Sequence, residues 1–249
     1  VVLLAGAGLL IRSFVQLINV DTGFRAENLI SFNVTLPSPQ YEYDRTVRNF
    51  VEQLTAKLQR MPGTQRVGVT FGRPLENMMF RATFEVEGRP PSALDRRTAA
   101  QVHPASPDFF PTMGMSLLQG RLYTKDEDRL NAPGALVVNE EFVRRYFPNE
   151  NPLGARLKIG IRHDTAGVGN GDVASAGEIV GVVRDVKQFG LDGDPYPLVY
   201  VPFNTLPLQD IAILVRTSAD LGAVSTGIRA QVREVDGNLP MHDLTTMQQ

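Results

Sequence analysis

Cysteine and tryptophan are both absent from the 249 residues. Without cysteine there is no disulfide framework, no thiolate zinc site, no Cys nucleophile and no iron–sulfur cluster. The same absence leaves the compartment open, because a cysteine-free chain is at ease in either redox environment. An excess of charge of one sign is missing too: 25 Lys+Arg face 27 Asp+Glu, a net charge of −2. A nucleic-acid surface usually needs a concentrated basic face, and Arg96-Arg97 lacks the interleaved aromatics that stack bases. Partners of that class are not expected.

Catalytic patterns are missing as well. No G-x-S-x-G elbow occurs, and His103, His163 and His242 stand in unrelated contexts. They read as ordinary surface or boundary residues. His163-Asp164 with Asp172 matches neither H-E-x-x-H nor the calcium loop. The run Gly167-Val168-Gly169-Asn170-Gly171 has no Lys in place for a phosphate loop, and a strand rather than a helix follows it. Asp126, Glu127 and Asp128, like Glu140 and Glu141, sit beside basic residues and read as solvated faces. The expectation is a non-enzyme with no catalytic, metal or cofactor-binding residue.

What is present is enough apolar sequence, 43%, for packed cores in one large or two small domains. Disorder, collagen and coiled coil are excluded for the whole chain. Residues 1–11 carry no polar side chain before Arg12, about half of the roughly 20 residues a membrane span needs. A buried helix of a soluble domain accounts for this run. The second half of a span accounts for it better: Gly6 and Gly8 suit close packing in lipid, and Phe14, Leu17 and Ile18 continue one apolar stripe. Asp21, Thr22 and Gly23 then end it. Residues 1–27 are expected to be the end of a transmembrane helix and a stalk, with Phe14, Leu17 and Ile18 as the coupling stripe. Arg12 at the exit mildly favours the cytoplasmic side, but long loops translocate regardless of such charges.

Residues 29–36 alternate as a strand closed by Pro37. Tyr43, Val47, Phe50, Val51, Leu54, Leu58 and Met61 repeat at helical spacing, and Pro62-Gly63 stops them. Val67, Val69 and Phe71 alternate again. The plan recurs near the other end: a strand at 211–217, an Asp220-capped helix with Leu221, Val224, Ile228, Val232 and Val235, and a short strand at 241–244. Two distant β-α-β units predict one split α+β subdomain, 28–72 plus 198–249, with a second subdomain, 73–197, inserted in it. The insert is expected to be mostly β, with strands at 82–86, 135–138, 157–161 and 178–183. Ser106-Pro107 opens a short helix ended by Gly114, and Asn139 caps another halted by Pro148. The Gly-rich stretch 160–177 reads as a long mobile hairpin tip.

Several blocks resemble the MacB-like periplasmic core domain of ABC-transporter permeases in the MacB/FtsX superfamily, duplicated-permease type. They are LLAGAGLLIRSFVQL with NVDTGFRAENLISFNVTLP (3–37), SPDFFPTMGMSLLQGRLYTKDED (106–128) and VVNEEFVRRYFPNENPLGARLKIG (137–160). EIVGVVRDVKQFGLDGDPYPLVYVPF (178–203) and LPMHDLTTMQQ (239–249) complete them, so nearly the whole chain is covered. Residues 165–177 are longer than that resemblance leads one to expect. The resemblance implies a porter-like α+β subdomain with an inserted sabre-like, mostly-β subdomain. It also implies a bacterial inner-membrane location with this domain on the periplasmic side, and a second permease unit or second copy of the domain as partner. ATP is implied on a separate cytoplasmic ABC ATPase, with no cofactor in this chain. The role is then mechanical, passing ATP-driven motion of membrane helices to export of a substrate or to a partner protein. A membrane-tethered extracytoplasmic binding module unrelated to transport is the competing expectation. Phe109, Phe110, Tyr146 and Phe147 are candidates for a partner-facing surface, although large aromatics at helical spacing are more often core.

Overall fold

The computed structural model describes residues 22–42, 44–72, 80–89, 98–161, 173–187 and 194–247. The chain begins there with strand β1 (Leu29–Thr35), helix α1 (Asp44–Gln59) and strand β2 (Thr64–Thr70). It ends with β10 (Asp210–Thr217), α4 (Leu221–Val235) and β11 (Met241–Thr246). The four strands form an antiparallel sheet in the order β11-β1-β10-β2. Helical spacing puts Val47, Phe50, Val51, Leu54 and Leu58 on one side of α1, and all five are buried. Asp44 in its first turn and Lys57 in its last complement the helix dipole. In α4 the Asp220 side chain accepts the Ala223 N–H at 2.9 Å, capping the helix. Both helices pack on one face of the sheet, over Ile30, Phe32, Val34, Val67, Val69, Ile211, Ile213 and Val215.

Between these terminal units, β3 (Phe80–Val86), β4 (Ala99–Ala105), β6 (Ala135–Asn139), β7 (Arg156–Ile161), β8 (Val173–Val183) and β9 (Leu198–Pro202) pair in the order β4-β3-β7-β8-β6-β9. Strand β9 then pairs in parallel with β4, from Gln101↔Leu198 to Ala105↔Pro202, so the six strands close into a barrel. Alternation sorts their side chains. Ala82, Phe84, Ala100, Val102, Leu136, Val138, Leu157, Ile159, Ile179, Val199 and Val201 share one core with Phe142 and Phe147 of the segment following β6. That segment is helix α3 (Glu140–Tyr146) with its C-terminal cap Phe147; its first turn is capped by the Asn139 side chain accepting from Phe142 N–H. The short strand β5 (Leu117–Gly120) lies outside the ring, paired with β8.

The sheet and the barrel share a single Cα pairing, Thr70↔Ala105. What fills the space beside it is α2 (Phe109–Met113), a wedge of one helical turn. Phe109, Phe110 and Met113 lie in a third core with Ala135, Val137, Leu198 and Tyr200 from the barrel and Leu29 and Leu214 from the sheet. Gly68 permits this approach, because a Cβ there would sit 2.8 Å from the Phe109 Cα.

The structure departs from sequence expectation at several points. Strands β4 and β5 are not anticipated: β4 contains Pro104, and β5 is exposed throughout and lacks alternation. Helix α2 starts at Phe109, two residues after Pro107. Strand β8 begins at Val173, so the ladder with β7 takes up part of the Gly-rich stretch; residues 162–172, which the expected mobile tip includes, fall outside the described residues. Strand β9, grouped by sequence with the terminal units, hydrogen-bonds to β4 and β6 of the barrel.

Candidate functional site

No group of three or more His, Asp or Glu side chains that would hold a metal ion occurs among the described residues. Two buried titratable groups correct the sequence reading. His103 is 1% exposed, a core residue of the sheet–barrel seam with its Nε2 against the Thr70 hydroxyl at 2.5 Å. Burial lowers its pKa to about 4, so it is neutral. Asp128 is buried rather than solvated, and burial raises its pKa to about 7 against two hydrogen bonds from Asn204. Asp126 does match the surface reading, exposed and paired with Arg129, while Glu127 is half-buried and paired with Arg121.

The densest polar geometry surrounds residues 22–28, the lead-in to β1. Arg216, the last-but-one residue of β10, spends its guanidinium on three backbone carbonyls. Nε donates to Thr112 O at 2.8 Å, Nη1 to Glu27 O at 2.6 Å and Nη2 to Arg25 O at 2.6 Å. Its neighbour Thr217 donates its N–H to Asn28 O at 3.0 Å, and Arg25 N–H donates to Met113 O at 2.8 Å. The lead-in is therefore fixed at once to the sheet and to the wedge. Burial holds the Arg216 pKa below its ordinary value, yet a guanidinium remains charged there.

A second attachment reaches the barrel. Lys187 N–H donates to Thr22 O at 3.0 Å. Gly23, at φ 78°, lies so close to the 185–186 backbone that a Cβ would meet Asp185 O at 2.1 Å. The Asp185 carboxylate is itself braced: it accepts Asn139 Nδ2 at 2.6 Å and Glu141 N–H at 3.0 Å, with Arg144 3.6 Å away. At the far end of the chain, Met247 N–H donates to Leu29 O at 2.9 Å, so the chain leaves the sheet beside the point where it enters.

Of the residues singled out from sequence, Phe109, Phe110 and Phe147 are 1%, 0% and 3% exposed and present no partner-facing surface. Their apolar area is consumed in closing the wedge and the barrel. Tyr146 is half-buried, its ring edge-on to Phe84 and its hydroxyl donating to Ala99 O at 2.7 Å. Phe14, Leu17 and Ile18, Arg96-Arg97, and His163, Asp164 and Asp172 lie outside the described residues. No helix among the described residues is long and apolar enough to cross a membrane. Arg216 was missed; its only sequence signal is a lone cation closing the apolar run 211–215.

Comparison with known proteins adds three findings. The MacB-like periplasmic core domain family matches residues 9–231. The macrolide export ATP-binding/permease protein MacB of Aggregatibacter actinomycetemcomitans is 30% identical over 110 residues, 44% of this chain and 15% of that protein's length. Among solved structures, the periplasmic region of MacB from Actinobacillus actinomycetemcomitans superposes with a TM-score of 0.55 at 15% identity, covering 92% of this chain and 94% of that one. The extracellular domain of the noncanonic ABC-type transporter YknZ from Gram-positive bacteria gives 0.54 at 14% identity, over 86% of this chain and 100% of that one. At these identities the two structures speak for a shared fold.

Proposed function

Because the chain belongs to the MacB-like periplasmic core domain family, we propose that it is the extracytoplasmic domain of an ABC transporter permease. It does no chemistry of its own. It passes motion of membrane helices, driven by ATP on a cytoplasmic ABC ATPase, to export of a substrate or to a partner protein. A second permease unit, or a second copy of the domain, is the counterpart against which it moves. Residues 1–27 serve as the end of a membrane helix and its stalk, with Phe14, Leu17 and Ile18 on the coupling face.

The observation that supports this reading is the anchoring of the lead-in. Arg216, Thr217, Met113, Lys187 and Gly23 tie residues 22–28 to sheet, wedge and barrel together. Close-packed interiors deform little, so a displacement delivered to that segment moves the domain as one body. A flexible tether would need none of these bonds. Inserting Gly-Gly after Val20 tests the mechanism. Transport by the assembled permease is expected to fail while the ATPase still binds ATP; undiminished transport sinks the coupling role.

A further inference from the structure

A cleft of about 460 Å³ opens between α1 and the segment that joins α2 to β6. That is within the ordinary size range of small-molecule sites. Its deep wall is apolar, made by Val51, Val67, Val69 and Phe203, all at most 8% exposed. One charged group is sunk in it: Asp128, 7% exposed, whose carboxylate accepts Asn204 N–H at 2.7 Å and Asn204 Nδ2 at 3.3 Å.

The charges at the rim are spoken for. Arg48 of α1 pairs with Asp44 at 3.8 Å and donates to Asn204 O, Lys125 pairs with Asp108 at 3.2 Å, and Arg129 pairs with Asp126 at 2.7 Å. Tyr123, behind Asp128, gives its hydroxyl proton to Ala105 O. No cation forms an ion pair with Asp128 among the described residues, and Glu52 on the α1 wall has no ion pair either. A buried carboxylate held only by neutral donors costs free energy when ionised. An occupant that brings a positive charge and an apolar body offsets that cost and covers the apolar wall.

We propose that this cleft binds a lipophilic organic cation, with Asp128 as its counter-ion and Glu52 as a secondary attraction at the mouth. The burial that raises the Asp128 pKa to about 7 supplies a signature. Below that pH the carboxyl carries a proton, and entry of the cation must expel it to solvent. Binding is then an exchange of one cation for one proton. The inference does not depend on the coupling role of the lead-in, which lies elsewhere on the molecule.

The experiment titrates the 249-residue chain with tetraphenylphosphonium and with tetraphenylborate, ions of matched shape and opposite charge. Calorimetry in buffers of different ionisation heat counts the protons released. The expected result is binding of the phosphonium alone, with about one proton expelled per cation near pH 6 and almost none near pH 9. Asp128→Asn keeps an acceptor for Asn204 and should weaken phosphonium binding by about tenfold or more at high pH. Should that variant not fold, the proton count on the unmodified chain and a smaller loss in Glu52→Gln decide instead. Equal uptake of both ions, no proton release near pH 6, or a folded Asp128→Asn that binds unchanged overturns the proposal.

Discussion

At the scale of single residues, Arg216 does what no other cation among the described side chains is shown to do, donating to three carbonyls from two separate stretches of backbone. A lysine offers one ammonium without the planar fork. Arg216→Lys should therefore lose about 2 kcal/mol of stability, read as a fall in Tm of about 4–8 °C for a chain of this size. An unchanged Tm would remove the clamp. Asp128 and His103 make opposed demands on pH. The Asp128 pKa is raised on folding, to about 7, so its contribution favours the fold at low pH and is lost as pH rises toward 7. The His103 pKa is lowered to about 4, so its contribution is present above about 6.5 and lost as pH falls through 4. Between about 4 and 6.5 the two slopes offset one another. Asp128→Asn should uncover the histidine slope, with urea midpoints climbing over that interval. Neither group was legible in the sequence. Asp128 sits in a run of three acids of which Asp126 is exposed and Glu127 half-buried, and nothing local separates the buried one.

At the scale of elements, the sequence shows most clearly those segments whose side chains face a single core. Helices α1 and α4 have strict periodicity because one face packs and the other is wet. Strand β4 was illegible because both of its faces are covered, by the barrel interior and by the wedge, and β5 because neither is. Helix α2 is the informative case. Phe109-Phe110 in a short exposed-looking helix invites a docking surface, yet the pair fills the gap between sheet and barrel. Phe109→Ala should cost about 3–5 kcal/mol, as emptied aromatic sites do. Leu118→Ser on the open β5 should stay within about 0.5 kcal/mol. Chemical denaturation of the two variants separates a structural wedge from a surface anchor, and a neutral Phe109→Ala would restore the latter.

At the scale of the whole molecule, the third core binds the sheet to the barrel through residues of both. Sheet and barrel are expected to melt in one calorimetric transition, with van't Hoff and calorimetric enthalpies equal; two resolved transitions would mean that the wedge does not couple them. The α+β class was readable from two repeated β-α-β signatures. The closure of the barrel was not, since it depends on the parallel β4–β9 seam between segments about a hundred residues apart, a pairing that leaves no local pattern. The adjacency of Leu29 and Met247 has a mechanical meaning. Tension drawn between these two neighbouring ends would act at the tip of an antiparallel ladder and peel it open one rung at a time, the weakest way to load a sheet. The Arg216 fork grips the incoming strand just ahead of that tip, on the side of β10 rather than β11. A tug on the lead-in is thereby spread across several bonds in parallel, and the zipper between β1 and β11 is spared.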